Sequence, residues 1–343
     1  MNLLNTEELV KPKLGILLGD ATGVGPEIVA KTAAKGVLTE NCLPIIIGDL
    51  RVFELGMQIA DVDFPYVSID NIDEASWNKG IPILDQKNLD PDEIELGKVS
   101  EKSGKVTGDL LITAVNLYKE GKIDGFSFAP LNKGAMKMGG HKFESEQMIF
   151  AHEFNWSEPF GEVNVFGDLW MSRVTSHIPL KEVSKKLSVD SILSAIKLLD
   201  KTLKRAGMEN AEIALPGLNP HAGENGLCGT EEIEIIEPAI EKANSMGINA
   251  SGPYPADILF IKAFNGEFNA VATMYHDQGQ IAAKLMAFDE GITIAAGFPA
   301  PIVTASHGTA YDIVGKGIAK TKAFENAVKM TARIARNDIK NNF

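Results

Sequence analysis

Ala270-Val271-Ala272-Thr273-Met274-Tyr275-His276-Asp277-Gln278-Gly279, with Lys284 just beyond, is the stretch that decides the fold. An apolar run stops abruptly in a polar knot and a glycine. A buried strand reads this way when it delivers side chains to the rim of an α/β sheet. Two other histidines stand in similar places. His177 follows Arg173-Val174-Thr175-Ser176, and His221 follows Ile213-Ala214-Leu215-Pro216-Gly217-Leu218-Asn219-Pro220. Three imidazoles at three expected strand ends suggest an open metal site, because such sites often use three protein ligands. Spacing alone does not bring the three together, and neither H-E-x-x-H nor C-x-x-C occurs.

Working outward, the same alternation recurs along the chain. Strands are expected at Leu14–Leu18, Leu43–Asp49, Asp124–Pro130, Glu162–Asp168 and Gly291–Gly297. Helices are expected at about Gly108–Glu120, Phe143–Phe154, Ser188–Ala206 and from Thr321 onward. In the Ser188 helix, Ile192, Ile196, Leu199 and Leu203 form a core-facing stripe closed by Gly207. Pro238 should kink or split the helix that opens near Thr230. Residues 61–100 read as irregular surface loop, and Gly252–Asp257 as a rigid loop. Gly19–Glu27 is a glycine-rich strand-to-helix turn without the spacing of a dinucleotide or P-loop fingerprint. Strand and helix alternate throughout, which implies a mostly parallel α/β sheet in two lobes.

The 343 residues carry a net charge of -13, which argues against nucleic acid or an anionic membrane as a partner. A local cationic pocket can still hold a small anion. Two cysteines, Cys42 and Cys228, form no disulfide framework and suit a reducing cytoplasm. Met1–Lys13 reads as a frayed leader, and no run reaches the roughly 18 apolar residues of a membrane span.

Beside the imidazoles, Asp257 and Asp277 can ligate a metal or orient a histidine, and Lys284 can carry a proton. The bland alternatives are a turn residue at Asp257 and a solvated lysine at 284.

The motifs Gly19–Glu27, Thr175–Leu180, Leu218–Glu224, Pro255–Asp257, Met274–Lys284 and His307–Ala310, in this order, resemble the 4-hydroxythreonine-4-phosphate dehydrogenase (PdxA) family. The resemblance implies a homodimer of two-lobed α/β/α subunits like the isocitrate and isopropylmalate dehydrogenases. The lobes are expected at residues 1–130 plus 285–343 and at residues 131–284. It implies one divalent metal (Zn, Mg, Mn or Co) on His177, His221 and His276, partly across the dimer interface. NAD or NADP would be held by His307, Gly308, Thr309 and Asp312. A hydroxyl of a small, phosphorylated hydroxy acid would be oxidised, and the β-keto product can lose CO2. Lys284 matches a substrate-contacting lysine.

Three positions depart from the family pattern. Its Gly-His-Thr-Glu motif falls at Ser145-Glu146-Gln147-Met148, its substrate-contacting Asn at Thr293 and its Arg at Ile302. Together with Glu146, Gln147 and Thr293, Arg173 is expected to line the altered substrate pocket and to supply a replacement charge. The departures imply a substrate-shifted paralogue, its substrate open between 4-hydroxythreonine 4-phosphate itself, 4-phospho-threonate, 4-phospho-erythronate and a dihydrodiol acid. Competing readings keep the metal without redox chemistry, as a decarboxylase or hydrolase, or without catalysis at all.

Overall fold

The structure is a computed structural model that describes residues 10–287 and 289–341. Residues 1–9 of the expected leader lie outside them. The chain divides into two compact units, residues 1–156 with 300–343 and residues 157–299. These boundaries differ from those expected. Residues 131–156 stay with the first unit because their helices, Lys133–Met138 and Glu146–Glu153, pack on the Glu101–Lys119 helix. Residues 285–299 go to the second unit because strand Ile292–Ala296 pairs there, with Gly161–Phe166.

The first unit holds β1 (Lys13–Leu17), β2 (Leu43–Gly48), β3 (Tyr66–Ile69), β4 (Ile81–Asp85) and β5 (Gly125–Phe128), with Ile302–Ala305 as its last strand. All pair in parallel, in the order β3-β4-β2-β1-β5 and then Ile302–Ala305. Successive side chains of a strand face opposite ways, and β5 shows both layers. Phe126 and Phe128 meet Phe150 edge-to-face at 5.7 and 6.1 Å. Ser127 hydrogen-bonds Thr331 of the Lys322–Asn341 helix at 2.8 Å. Helices therefore cover both faces of this sheet.

Two expectations fail here. Residues 61–100 contain β3 and β4. These short strands escape a sequence reading because polar turns surround them and Pro82 interrupts β4. The helix expected from Gly108 starts at Glu101, capped by the Ser100 side chain. Its glycines look like breaks but are points of close approach. A Cβ on Gly104 would stand 2.0 Å from the Ala135 carbonyl, and one on Gly108 would stand 2.2 Å from the His141 ring. Gly104→Ala is expected to cost about 1–3 kcal/mol through overpacking, read as a lower thermal midpoint.

The second unit has β6 (Gly161–Phe166), β7 (Leu169–Arg173), β8 (Ile213–Pro216), β9 (Ala250–Tyr254), β10 (Ala270–Thr273) and β11 (Ile292–Ala296), ordered β11-β6-β7-β10-β8-β9. β6 runs antiparallel to β7 and β11, and the rest pair in parallel. The Val189–Arg205 helix has a Ser188 capping box, and its four stripe residues are fully buried. A π-turn, Glu232–Ile236, precedes an α-helix that Pro238 opens, which is the expected split. Gly252–Tyr254, read as loop, belongs to β9. Pro253 is tolerated because β9 is the edge strand. No helix of the described residues is long and apolar enough to cross a membrane.

Candidate active site

β7, β10 and β8 are neighbours and parallel, so their C-terminal ends open on one edge of the sheet. His177 follows β7, His276 follows β10, and His221 follows β8. Ligand sites of open α/β sheets form at such an edge. Backbone bonds tie the first two segments together. Val174 N–H donates to the Thr273 carbonyl at 2.8 Å, and the Thr175 hydroxyl donates to the Met274 carbonyl at 2.8 Å. The His177 and His276 rings stand 5.4 Å apart between centroids. They line a cavity of about 430 Å3 with Thr175, Leu180, Tyr275 and Asp277. Asp277 Oδ1 lies 2.7 Å from His276 Nδ1. When that nitrogen carries the proton, the lone pair of Nε2 is free to ligate.

His221 joins the same sheet edge by another device. Residues His221, Ala222, Glu224 and Asn225 all have left-handed backbone, with φ of 54, 54, 45 and 57°, around Gly223 at 78°. His177 is left-handed too, at φ 51°. Each such residue costs about 1–2 kcal/mol, and strain of this kind gathers at functional sites. The buried Glu232 carboxylate helps to hold the loop, accepting from the Asn219 N–H at 2.8 Å and from Asn219 Nδ2 at 3.0 Å. The His221 side chain is 70% exposed, 3.7 Å from Glu224. No group of three His, Cys, Asp or Glu among the described residues is arranged to hold a metal ion. The donor chemistry of His177 and His276 suits two positions of a divalent site. Asp257 is exposed in the first turn of the Ala256–Phe264 helix, after β9. Lys284 is exposed two turns beyond His276 on the His276–Ala287 helix, on the same face.

Arg173 is not the free cation expected. Its side chain is 8% exposed and is committed to its neighbours. Nη2 donates to Glu162, Nη1 to Asn164 Oδ1 at 2.8 Å, and Nε to Ser176 Oγ at 3.0 Å. Burial pulls the guanidinium below its ordinary range, and Glu162 opposes that shift. Asn164 also donates to Thr293 Oγ1 at 2.9 Å, so this Thr293 bond is internal to the network. The hairpin could have revealed the Glu162 pair. A two-residue turn at Gly167-Asp168 sets Glu162 opposite Arg173. Ile302 is fully buried and fills the core.

In the first unit, Glu146 and Gln147 are buried in the first turn of their helix, and Glu146 pairs with Lys133 at 3.1 Å. His307, Gly308, Thr309 and Asp312 lie on an irregular segment that rests on the Gly19–Glu27 turn. Val24 N–H donates to the Thr309 carbonyl at 3.0 Å, and a Cβ on Gly23 would stand 2.8 Å from Thr309. The partner of that glycine-rich turn is thus the His307 segment. Below them the buried Asp20 carboxylate accepts from Thr22 Oγ1 at 2.7 Å, Ser103 Oγ at 2.5 Å and the Tyr311 hydroxyl at 2.6 Å. Burial, then the Asp20 bond, push the Tyr311 phenol above its usual range. Glu27 and Lys31, 2.7 Å apart, hold the far end of the segment: Glu27 through the Ala319 N–H at 2.9 Å, Lys31 through the Gly317 carbonyl at 2.8 Å. Sequence reading missed Asp20, Ser103 and Tyr311. Asp20, inside the glycine-rich motif, and Tyr311, inside the His307 segment, carried a local signal, and Ser103 carried none.

An α/β protein with imidazoles on the carboxyl edge of parallel strands is the class that this architecture defines. The chain belongs to the PdxA family: the model described as "Pyridoxal phosphate biosynthetic protein PdxA" matches residues 40–331. A Rhizobium meliloti protein named "Putative 4-hydroxythreonine-4-phosphate dehydrogenase 2" is 42% identical over 95% of this chain and 94% of its own length. An Oceanobacillus iheyensis protein named "Putative D-threonate 4-phosphate dehydrogenase" is 38% identical over 95% of this chain and 98% of its own. The crystal structure of 4-hydroxythreonine-4-phosphate dehydrogenase from Klebsiella pneumoniae superposes with a TM-score of 0.84 at 32% identity, covering 96% of this chain and all (100%) of that one.

Proposed function

We propose that this chain is an NAD(P)-dependent dehydrogenase that uses a divalent metal to oxidise a hydroxyl of a small phosphorylated hydroxy acid. The observation that carries the reading is the set of three histidines on the ends of adjacent parallel strands, two of them in ring contact. His177, His221 and His276 would hold the cation. His307, Gly308, Thr309 and Asp312 would hold the dinucleotide. Bound there, the cation would supply Lewis acidity at the reacting oxygen, and the dinucleotide a hydride acceptor.

The chain's own residues do the rest. Asp277 fixes the tautomer of His276. Lys284 takes the hydroxyl proton as general base and can return one to the enol formed if the β-keto acid loses CO2. The relatives' names favour 4-phospho-threonate or 4-hydroxythreonine 4-phosphate as substrate. The Lys133–Glu146 pair, in place of the usual motif, supports a substrate grip altered from the family pattern. Exposed Ile258, Ile261, Ile281 and Leu285 on the two helices beside the site support a homodimer that completes it.

Absorbance at 340 nm should rise when the protein, a divalent metal and NAD or NADP meet one of these phosphorylated acids. Decarboxylation or hydrolysis without reduced nucleotide would instead establish the non-redox reading. Tyr311→Phe removes one donor to the buried Asp20 carboxylate. It should raise the KM for the dinucleotide about tenfold, the worth of one hydrogen bond to a charged group, with kcat little changed.

A further inference from the structure

We propose that Arg173 and Asn164 are positioning residues that set His177 against His276 and Lys284, and that Arg173 does not meet the substrate. The proposal rests on the metal reading above and assigns the buried polar network a part in it.

Asn164 is the hub. Its Oδ1 accepts from Arg173 Nη1 at 2.8 Å and from Gln280 Nε2 at 2.7 Å, and its Nδ2 donates to Thr293 Oγ1 at 2.9 Å. One side chain on β6 therefore ties together β7, β11 and the His276–Ala287 helix. Gln280 lies one turn after His276 and one turn before Lys284, so all three share a face. The Asn164–Gln280 bond consequently fixes the rotation of the helix that presents both groups. On the other strand, Arg173 Nε donates to Ser176 Oγ, on the residue just before His177. The left-handed backbone of His177 persists only if its surroundings over-determine it. Arg173 supplies that constraint, and Glu162 neutralises its charge.

Groups hydrogen-bonded to a metal-ligating histidine typically alter metal affinity by about 10- to 100-fold, and Arg173 and Asn164 reach the ligands one residue further out, through Ser176 and Gln280. The test uses the full-length protein with Co2+ as probe, following its visible ligand-field absorption. Wild type should bind Co2+. Arg173→Met and Asn164→Leu should each bind it at least tenfold more weakly, with a changed spectrum. Arg173→Lys should not restore binding, because lysine keeps the charge but lacks the planar fork and the Nε bond. If Arg173→Met fails to fold, the other two variants carry the same comparison. Affinities and spectra within twofold of wild type would overturn the proposal, even with a lower thermal midpoint. So would a raised KM for the anionic acid with unchanged Co2+ binding, which would make Arg173 a substrate contact. Wild type without a Co2+ signature would overturn the metal reading first, and this inference with it.

Discussion

His276→Ala is expected to lower kcat/KM for the hydroxy acid by about a thousandfold, several kcal/mol of lost Lewis-acid stabilisation. The fold should survive. His276 is half-buried at the start of its helix, and its ring meets His177, Asp277 and the cavity, not the core. Circular dichroism should therefore match wild type while production of reduced nucleotide falls. A variant that loses stability without losing turnover would favour histidines that only brace the sheet edge. His177→Ala should behave alike, because His177 faces the same cavity. Excess metal should rescue either variant partially, since two ligands would remain.

Lys284→Met is the second large effect. Lysine can take a proton and methionine cannot, while the length of the side chain is nearly kept. General-base catalysis is worth about a hundred- to ten-thousandfold, and kcat should fall within that span. Metal affinity should hold, because Lys284 stands two turns from His276 and ligates nothing in this reading. Steady-state kinetics beside Co2+ titration separates this from the histidine variants. A rise in KM alone would reduce Lys284 to an anchor for the substrate's anionic group.

The parts of the fold that periodicity could reveal were those whose burial is set by one element. The Val189–Arg205 stripe and the β1, β2 and β10 runs are examples, each almost wholly apolar on its inner side. What escaped depends on partners far away in the chain. The β3–β4 pair is short and carries Pro82. Gly104 and Gly108 look like helix breaks until Ala135 and His141 are seen against them. The candidate site divides the same way. Histidines after apolar runs were readable, and the topology sets their strands side by side. The left-handed run at 221–225 has a weak sequence signature, because Gly223 and Asn225 tolerate that conformation but Ala222 and Glu224 do not announce it. The partners of Arg173 were hidden for a related reason. An arginine near a histidine reads as a free charge until the hairpin register puts Glu162 and Asn164 against it. The thiols are of little consequence: Cys42 is buried, its pKa pushed up to about 12 by that burial, and Cys228 lies exposed on the loop after His221.

The central claim is that three imidazoles from three adjacent strand ends share one cation. Anomalous diffraction at the metal absorption edge, from crystals grown with Zn2+ or Co2+, tests it most directly. A single peak per site about 2.1 Å from a ring nitrogen of His177, His221 and His276 is the predicted result, whether one protomer supplies all three or two share them. Metal held elsewhere, or by His177 and His276 with His221 turned away in every copy, would contradict it.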